Sequence, residues 1–158
     1  MNLNPIRRLY AEAANSQSKA DELAKLLAQA DSKNPTIIAY KGIVEAYKAK
    51  YALNPLSKLS HIQEANKYFK QAVEAEPDNI EIRFLRFTIQ LNTPAVLGLD
   101  KELNEDRKVI LANIQYSGIE NIMKKAIAEY LIKSGKCSET EKQFLQDLIP
   151  QLAESHEK

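Results

Sequence analysis

The sequence predicts an all-α fold, and three observations carry that prediction. Only 4 glycines and 6 prolines interrupt 158 residues, while the strong helix formers Ala, Leu, Lys, Glu and Gln are abundant. Apolar residues recur at spacings of three and four in one window after another. Asn-Pro or Thr-Pro pairs precede several windows, where Asn or Thr caps a helix and Pro fills its first position. A chain this long can bury roughly 70% of its unfolded surface, and no Gly/Ser linker divides it. The expectation is one domain, residues 1–158, of seven or eight helices with antiparallel neighbours.

Asn4-Pro5 opens the first helix, with Ile6, Leu9, Tyr10 and Ala13 as its apolar stripe. Asn15 and Ser16 interrupt it. Ser18 and Asp21 resemble a capping box with Asp in place of Glu, and Ala20, Leu23, Ala24, Leu27 and Ala30 then share one helical face. Asn34-Pro35 starts a third helix with two faces. Ile37, Tyr40, Val44, Tyr47 and Tyr51 are bulky; Ala39, Gly42, Ile43 and Ala46 are mostly small. Small residues let a neighbour approach, and Gly42 gives up about 1 kcal/mol of helix propensity against Ala. Such a helix suits a place between two others.

Asn54-Pro55 reads as the break after it, followed by a link to Ser60 anchored by Leu56 and Leu59. Ser60 and Gln63 have capping-box spacing, and Ile62, Ala65, Phe69, Ala72 and Val73 form the next stripe up to Pro77. Asp78-Asn79 suits a turn. From Ile80 to Leu91 an alternation suggests a strand, but it slips at Phe84-Leu85. As a helix the segment gathers Arg83, Arg86 and Gln90 on one narrow side, and no partner strand is visible, so helix is favoured. Thr93-Pro94 reads as a capped start to a short turn through Gly98, with a helix from Leu99 to Ile114 whose DKELNEDRK run is mostly a solvated face. Ser117 and Glu120 have capping-box spacing, ahead of the stripe Ile119, Ile122, Met123, Ala126, Ile127, Tyr130 and Leu131. Gly135 stands where a left-handed cap is expected. Ser138 and Glu141 cap the last helix, with Phe144, Leu145, Leu148 and Ile149 inward until Pro150; the tail to Lys158 is expected to fray.

The block Ala65, Phe69, Ala72 and Pro77 resembles the second helix of a tetratricopeptide repeat, and Tyr40, Ile43 and Tyr47 resemble positions of that repeat's first helix. Two departures stand out: Val44 replaces the family's usual Gly, and 17 residues separate Tyr47 from Ala65 where the repeat has about 8. The second departure implies an enlarged turn. Phe84, Phe87 and Leu91 begin a weaker match in which Thr88 replaces Gly. The resemblance covers about residues 35–79, and implies antiparallel hairpins stacked as a short right-handed superhelix that binds peptides in its inner groove.

Lys and Arg total 22 against 21 Asp and Glu, a balance that argues against nucleic acid as partner. No apolar run approaches the ~20 residues of a membrane span. A cytoplasmic location is the default expectation, with an exported form lacking its leader as the alternative. Cys137 is the one cysteine, beside Lys136 alone among cations, and no redox role is expected. His61 with Glu64 is half a metal site or a water-exposed histidine of a capping turn; His156 lies in the tail. Glu102, Glu105 and Asp106 mimic carboxylate dyads but read as a solvated face. No cofactor or metal is expected.

Two groups are candidate ligand-binding residues. Lys41, Glu45 and Lys48 form a stripe with Ile38 on the third helix, either a groove wall that accepts carboxylates or a charged outer face. Arg83 and Arg86 sit on a helix buried on most sides, so nearby acids pair with them or they line a cleft for an anion. The leading expectation is a non-catalytic scaffold module that binds a protein or peptide. A small structural or self-associating domain, its tyrosine-rich helix as interface, comes second; an enzyme with a dispersed site comes third.

Overall fold

The computed structural model describes residues 2–94 and 101–154. It is all-α, with eight helices and no strand among the described residues: α1 (Asn4–Ala13), α2 (Gln17–Ala28), α3 (Pro35–Tyr51), α4 (Pro55–Ala75), α5 (Ile80–Asn92), α6 (Leu103–Asn113), α7 (Asn121–Lys133) and α8 (Glu139–Glu154). They form two compact units, Met1–Pro77 and Asp78–Lys158. No helix among the described residues is long and apolar enough to cross a membrane.

In the first unit the most extensive pairing is α3 with α4. Its register follows from side-chain size. A Cβ on Gly42 would lie 3.1 Å from the Phe69 ring and 3.3 Å from the Ala65 carbonyl oxygen, so the small face of α3 admits the α4 backbone and the Phe69 ring at close range. Nearer the connection, Glu45 meets His61 at 2.7 Å. Residues close to the turn pair with each other and so do those farther from it, as antiparallel helices require. The opposite side of α3 meets its other neighbours: Tyr40 takes the edge of Tyr10 of α1 at 5.8 Å, and α2, burying Ala20, Leu23 and Leu27, packs on α3 as well.

The connection between α3 and α4 departs from the sequence reading. Asn54-Pro55 follows the end of α3 as expected, but no link to Ser60 comes after it: the Asn54 side-chain oxygen accepts from the Leu56 and Ser57 amides at 2.8 and 3.1 Å, and Pro55 opens α4. Asn34 caps α3 in the same way. The turn is therefore only 52–54, and most of the 17 residues between Tyr47 and Ala65 lie within the two helices instead of enlarging the loop. Ser60 lies inside α4. Other caps shift too. Leu3, without a side-chain bond, stands at the start of α1, so Asn4 is within the helix. Ser16, not Ser18, caps α2 through the Lys19 amide.

In the second unit α5 is a helix, started by the Asn79 side chain on the Glu81 and Ile82 amides, and it is buried around most of its circumference. Ile80 and Phe87 join Ile110, Ile114, Ile127, Leu131, Leu145 and Leu148 in one core, with Tyr130 edge-on to Phe84 at 5.3 Å. Thr93 ends α5; the expected turn through Gly98, and the helix start at Leu99, lie outside the described residues. Ser117 turns back on the Ile119 amide, and Glu120, with no side-chain bond, precedes α7. The α7 face is rotated from the expected stripe: Lys124, Ile127, Ala128 and Leu131 are buried while Ile122 is 69% exposed. Gly135 adopts φ +72° as expected. Ser138 and Glu141 bond reciprocally at 3.2 Å. The last helix runs on through Pro150 to Glu154; the tail beyond it, including His156, lies outside the described residues.

Candidate functional site

A cleft of about 270 Å3 opens between α2, α3 and the start of α4. Three local facts make it. Small residues, Ala20 and Ala24, face it from α2; Val44, Tyr47 and Tyr51 line it from α3; the short turn brings His61 within reach of the same wall. Polar groups sit at Asp21, Lys48 and His61. Gln17 and Ser57 add further polar groups, so the lining is more polar than apolar, and the volume is slightly below the ~300 Å3 lower range for small-molecule sites.

Glu45 organises the charged side. Lys48 Nζ donates to it at 2.8 Å and His61 Nδ1 lies 2.7 Å from its other oxygen. Its side chain is 14% exposed, against 49% for Lys48. With the carboxylate accepting, His61 donates from Nδ1. Burial pushes the Glu45 carboxyl up, but the hydrogen bonds and charges of Lys48 and His61 outweigh it and hold the group below the usual carboxylate range. A carboxylate so stabilised is a weak proton acceptor at neutral pH. It serves instead as a clamp between α3 and α4.

The clamp has a pH signature. A depressed folded value means that the stabilisation is present above the unfolded Glu value, about 4.3, and disappears as pH falls through the lower folded one. Chemical melts of wild type between about pH 6 and pH 3 are expected to lose more stability in the first unit than those of Glu45→Gln. At neutral pH Glu45→Gln is expected to be the less stable protein. Parallel profiles would remove the clamp.

The Lys41, Glu45, Lys48 stripe is graded and not uniform. Ile38 is buried, Lys41 and Glu45 are half-buried and Lys48 is exposed. Lys48 lines the cleft, Glu45 stands behind it, and Lys41 is not among the cleft residues. His61 is paired with Glu45, not with Glu64; it is neither a capping-turn residue nor fully exposed. Its role was hidden by the misplaced start of α4. Given the antiparallel register, its spacing from Glu45 across a tight turn would have revealed the pair.

Arg83 and Arg86 belong to the second unit and are not among the cleft residues. Asp106 of α6 answers both. One of its oxygens accepts from Arg83 at 2.9 Å and from Arg86 at 2.7 Å; the other accepts from Arg86 Nε at 2.8 Å and from Gln90 at 2.8 Å. Glu105 adds a bond to Arg83 at 3.0 Å from a 59% exposed position. Burial disfavours the Arg86 charge, and the hydrogen bond and charge of Asp106 outweigh it, so its pKa is raised. The polar stripe read on α5 is thus one surface gripping a single carboxylate.

Asp106 corrects the reading of α6 as a solvated face, for it is fully buried. The signal was available: Leu103, Asp106, Ile110 and Ile114 fall on one helical side, so Asp106 sits within the apolar stripe. Cys137 is buried with its thiol on the Leu131 carbonyl. Burial, then Glu141, push its pKa up, which keeps it a neutral thiol. No group of three or more His, Cys, Asp or Glu suited to a metal occurs among the described residues.

No protein-family model, no curated protein and no solved structure matches this chain.

Proposed function

We propose that the protein is a non-catalytic binding module with a tetratricopeptide-like hairpin, and that it takes a peptide or an exposed segment of a protein partner into the α2–α3–α4 cleft. The cleft itself carries this reading: its volume accommodates one or two side chains, two tyrosines flank it, and Asp21, Lys48 and His61 offer hydrogen bonds at its edge. Tyrosines supply large contact area at low entropic cost, which is why they recur as binding anchors. The close α3–α4 packing at Gly42 and Phe69 supports the repeat-like hairpin. The lowered basicity of Glu45 favours holding over proton transfer.

Panning a displayed random-peptide library against the full chain tests this. Selected sequences are expected to converge on a short motif. Their affinity is expected to fall at least tenfold in Tyr51→Ala, a truncation in the range of binding hot spots, and in Ala24→Phe, which fills the cleft. Both positions are half-buried, so circular dichroism should confirm an intact fold. Failure to converge, or binding indifferent to both changes, would overturn the proposal.

A further inference from the structure

The tip of the α3–α4 hairpin exposes apolar side chains that a folded chain normally covers. Leu53, in the turn, is 99% exposed, Leu56 is 77% exposed and Leu59 is 42% exposed. Leu56 and Leu59, three apart, share a side of the first turns of α4. Charge is biased at the same place. Residues 46–63 contain Lys48, Lys50 and Lys58 and no Asp or Glu. That stretch is +3 in a chain of net +1, so the remaining residues sum to −2 with His neutral.

Helix stability does not explain the pattern. The first turn of α4 has no acidic residue and carries Lys58, so a positive charge stands at the positive end of the helix dipole, where an acid would stabilise. Lys48 is already bonded to Glu45, and Lys50 donates to the Ala14 carbonyl while lying 5.6 Å from the Tyr51 ring centroid, so the exposed Lys58 is the tip's cation. The tyrosine is half-buried at the base of the tip, a position suited to the boundary between an apolar and an aqueous phase.

We propose that this tip is a peripheral docking point for an anionic lipid surface. The leucines would enter the boundary between headgroups and acyl chains, and Lys58 would face the negative headgroups. Shape favours a bilayer over a protein: an apex leucine this exposed, on a turn only three residues long, is convex, and a protein partner would need a matching pocket. A fluid bilayer takes any narrow apolar protrusion and adds attraction for its cations. This surface adjoins the peptide cleft, whose lining includes Lys48 and Tyr51, but Leu53, Leu56, Leu59 and Lys58 are not cleft residues.

The test is co-sedimentation of the full chain with phosphatidylcholine vesicles, with and without phosphatidylserine. The wild type is expected to bind the phosphatidylserine vesicles preferentially and to release with added salt. Lys58→Glu should weaken partition by about fivefold or more, since one basic residue near such a surface contributes about that factor. Combined Leu53→Ser and Leu56→Ser should weaken it at least tenfold, as loss of one buried leucine already suffices for that. Both leucines are exposed, so this variant should melt with the wild type. Absence of anionic-vesicle binding, or binding unchanged by the serine pair, would overturn the proposal. So would a wild-type dimer that the serine pair converts to monomer without any vesicle dependence, because the tip would then be an interface between copies.

Discussion

Replacing Asp106 with alanine is expected to destabilise residues 78–158 by about 3–5 kcal/mol, the range for removing one partner of a buried ion pair. The size follows from what remains. Arg83 and Arg86 are 4% and 8% exposed, and the lost carboxylate accepts four hydrogen bonds from them and Gln90. Glu105 cannot take over, because its side chain reaches only Arg83 from a largely exposed position. The complementary variant separates charge from packing. Arg83→Met, Arg86→Leu and Asp106→Leu together remove every desolvated charge of the cluster, and such replacements are often neutral or stabilising by about 1–4 kcal/mol. Amide hydrogen exchange along α5 and α6 reports both proteins on the unit concerned. A single variant as stable as wild type would show that the cluster is not what holds α6 to α5.

Phe69→Ala is expected to destabilise the first unit by about 3–5 kcal/mol, as aromatic-to-alanine changes in cores do. Phe69 is 2% exposed, and its ring lies against the gap left by Gly42. The pair should therefore be coupled. Gly42→Val in the wild type drives branched carbons at the ring and at the Ala65 carbonyl, an overpacking worth about 1–3 kcal/mol. In the Phe69→Ala background the same valine enters vacated space, so the double variant should be more stable than the sum of the single effects by about 0.5–3 kcal/mol. Urea melts of the four proteins give the coupling. Simple additivity would mean that Gly42 and Phe69 do not share the contact.

The helical class was legible because it rests on local periodicity and composition, which eight helices satisfy in turn. Boundaries were less so. Asn54-Pro55 has the same chemistry as Asn34-Pro35 and caps in the same way, yet a proline can equally end a helix. Only the packing of α4 on α3 decides between those uses. The rotated α7 face has a similar origin: Ile122 and Lys124 trade the places that hydrophobicity alone would give them, because the neighbours and not the stripe select the buried side. Of the candidate residues, Arg83 and Arg86 announced their need for an acid through burial on a mostly apolar helix. Asp106 was obscured by its charged sequence neighbours, although its place in the stripe of Leu103 and Ile110 marked it as buried. The cleft was the least legible feature, as it is bounded by three helices and no single window contains it.

The three-residue turn at 52–54 also bears on how the chain folds. The α3–α4 pairing spans residues close in sequence, and closing so short a connection sacrifices little chain entropy. Contacts of that kind form quickly. On a ribosome, residues 35–75 emerge as a pair of helices able to zip together before anything downstream exists, which gives α2, already synthesised, a ready surface to pack on.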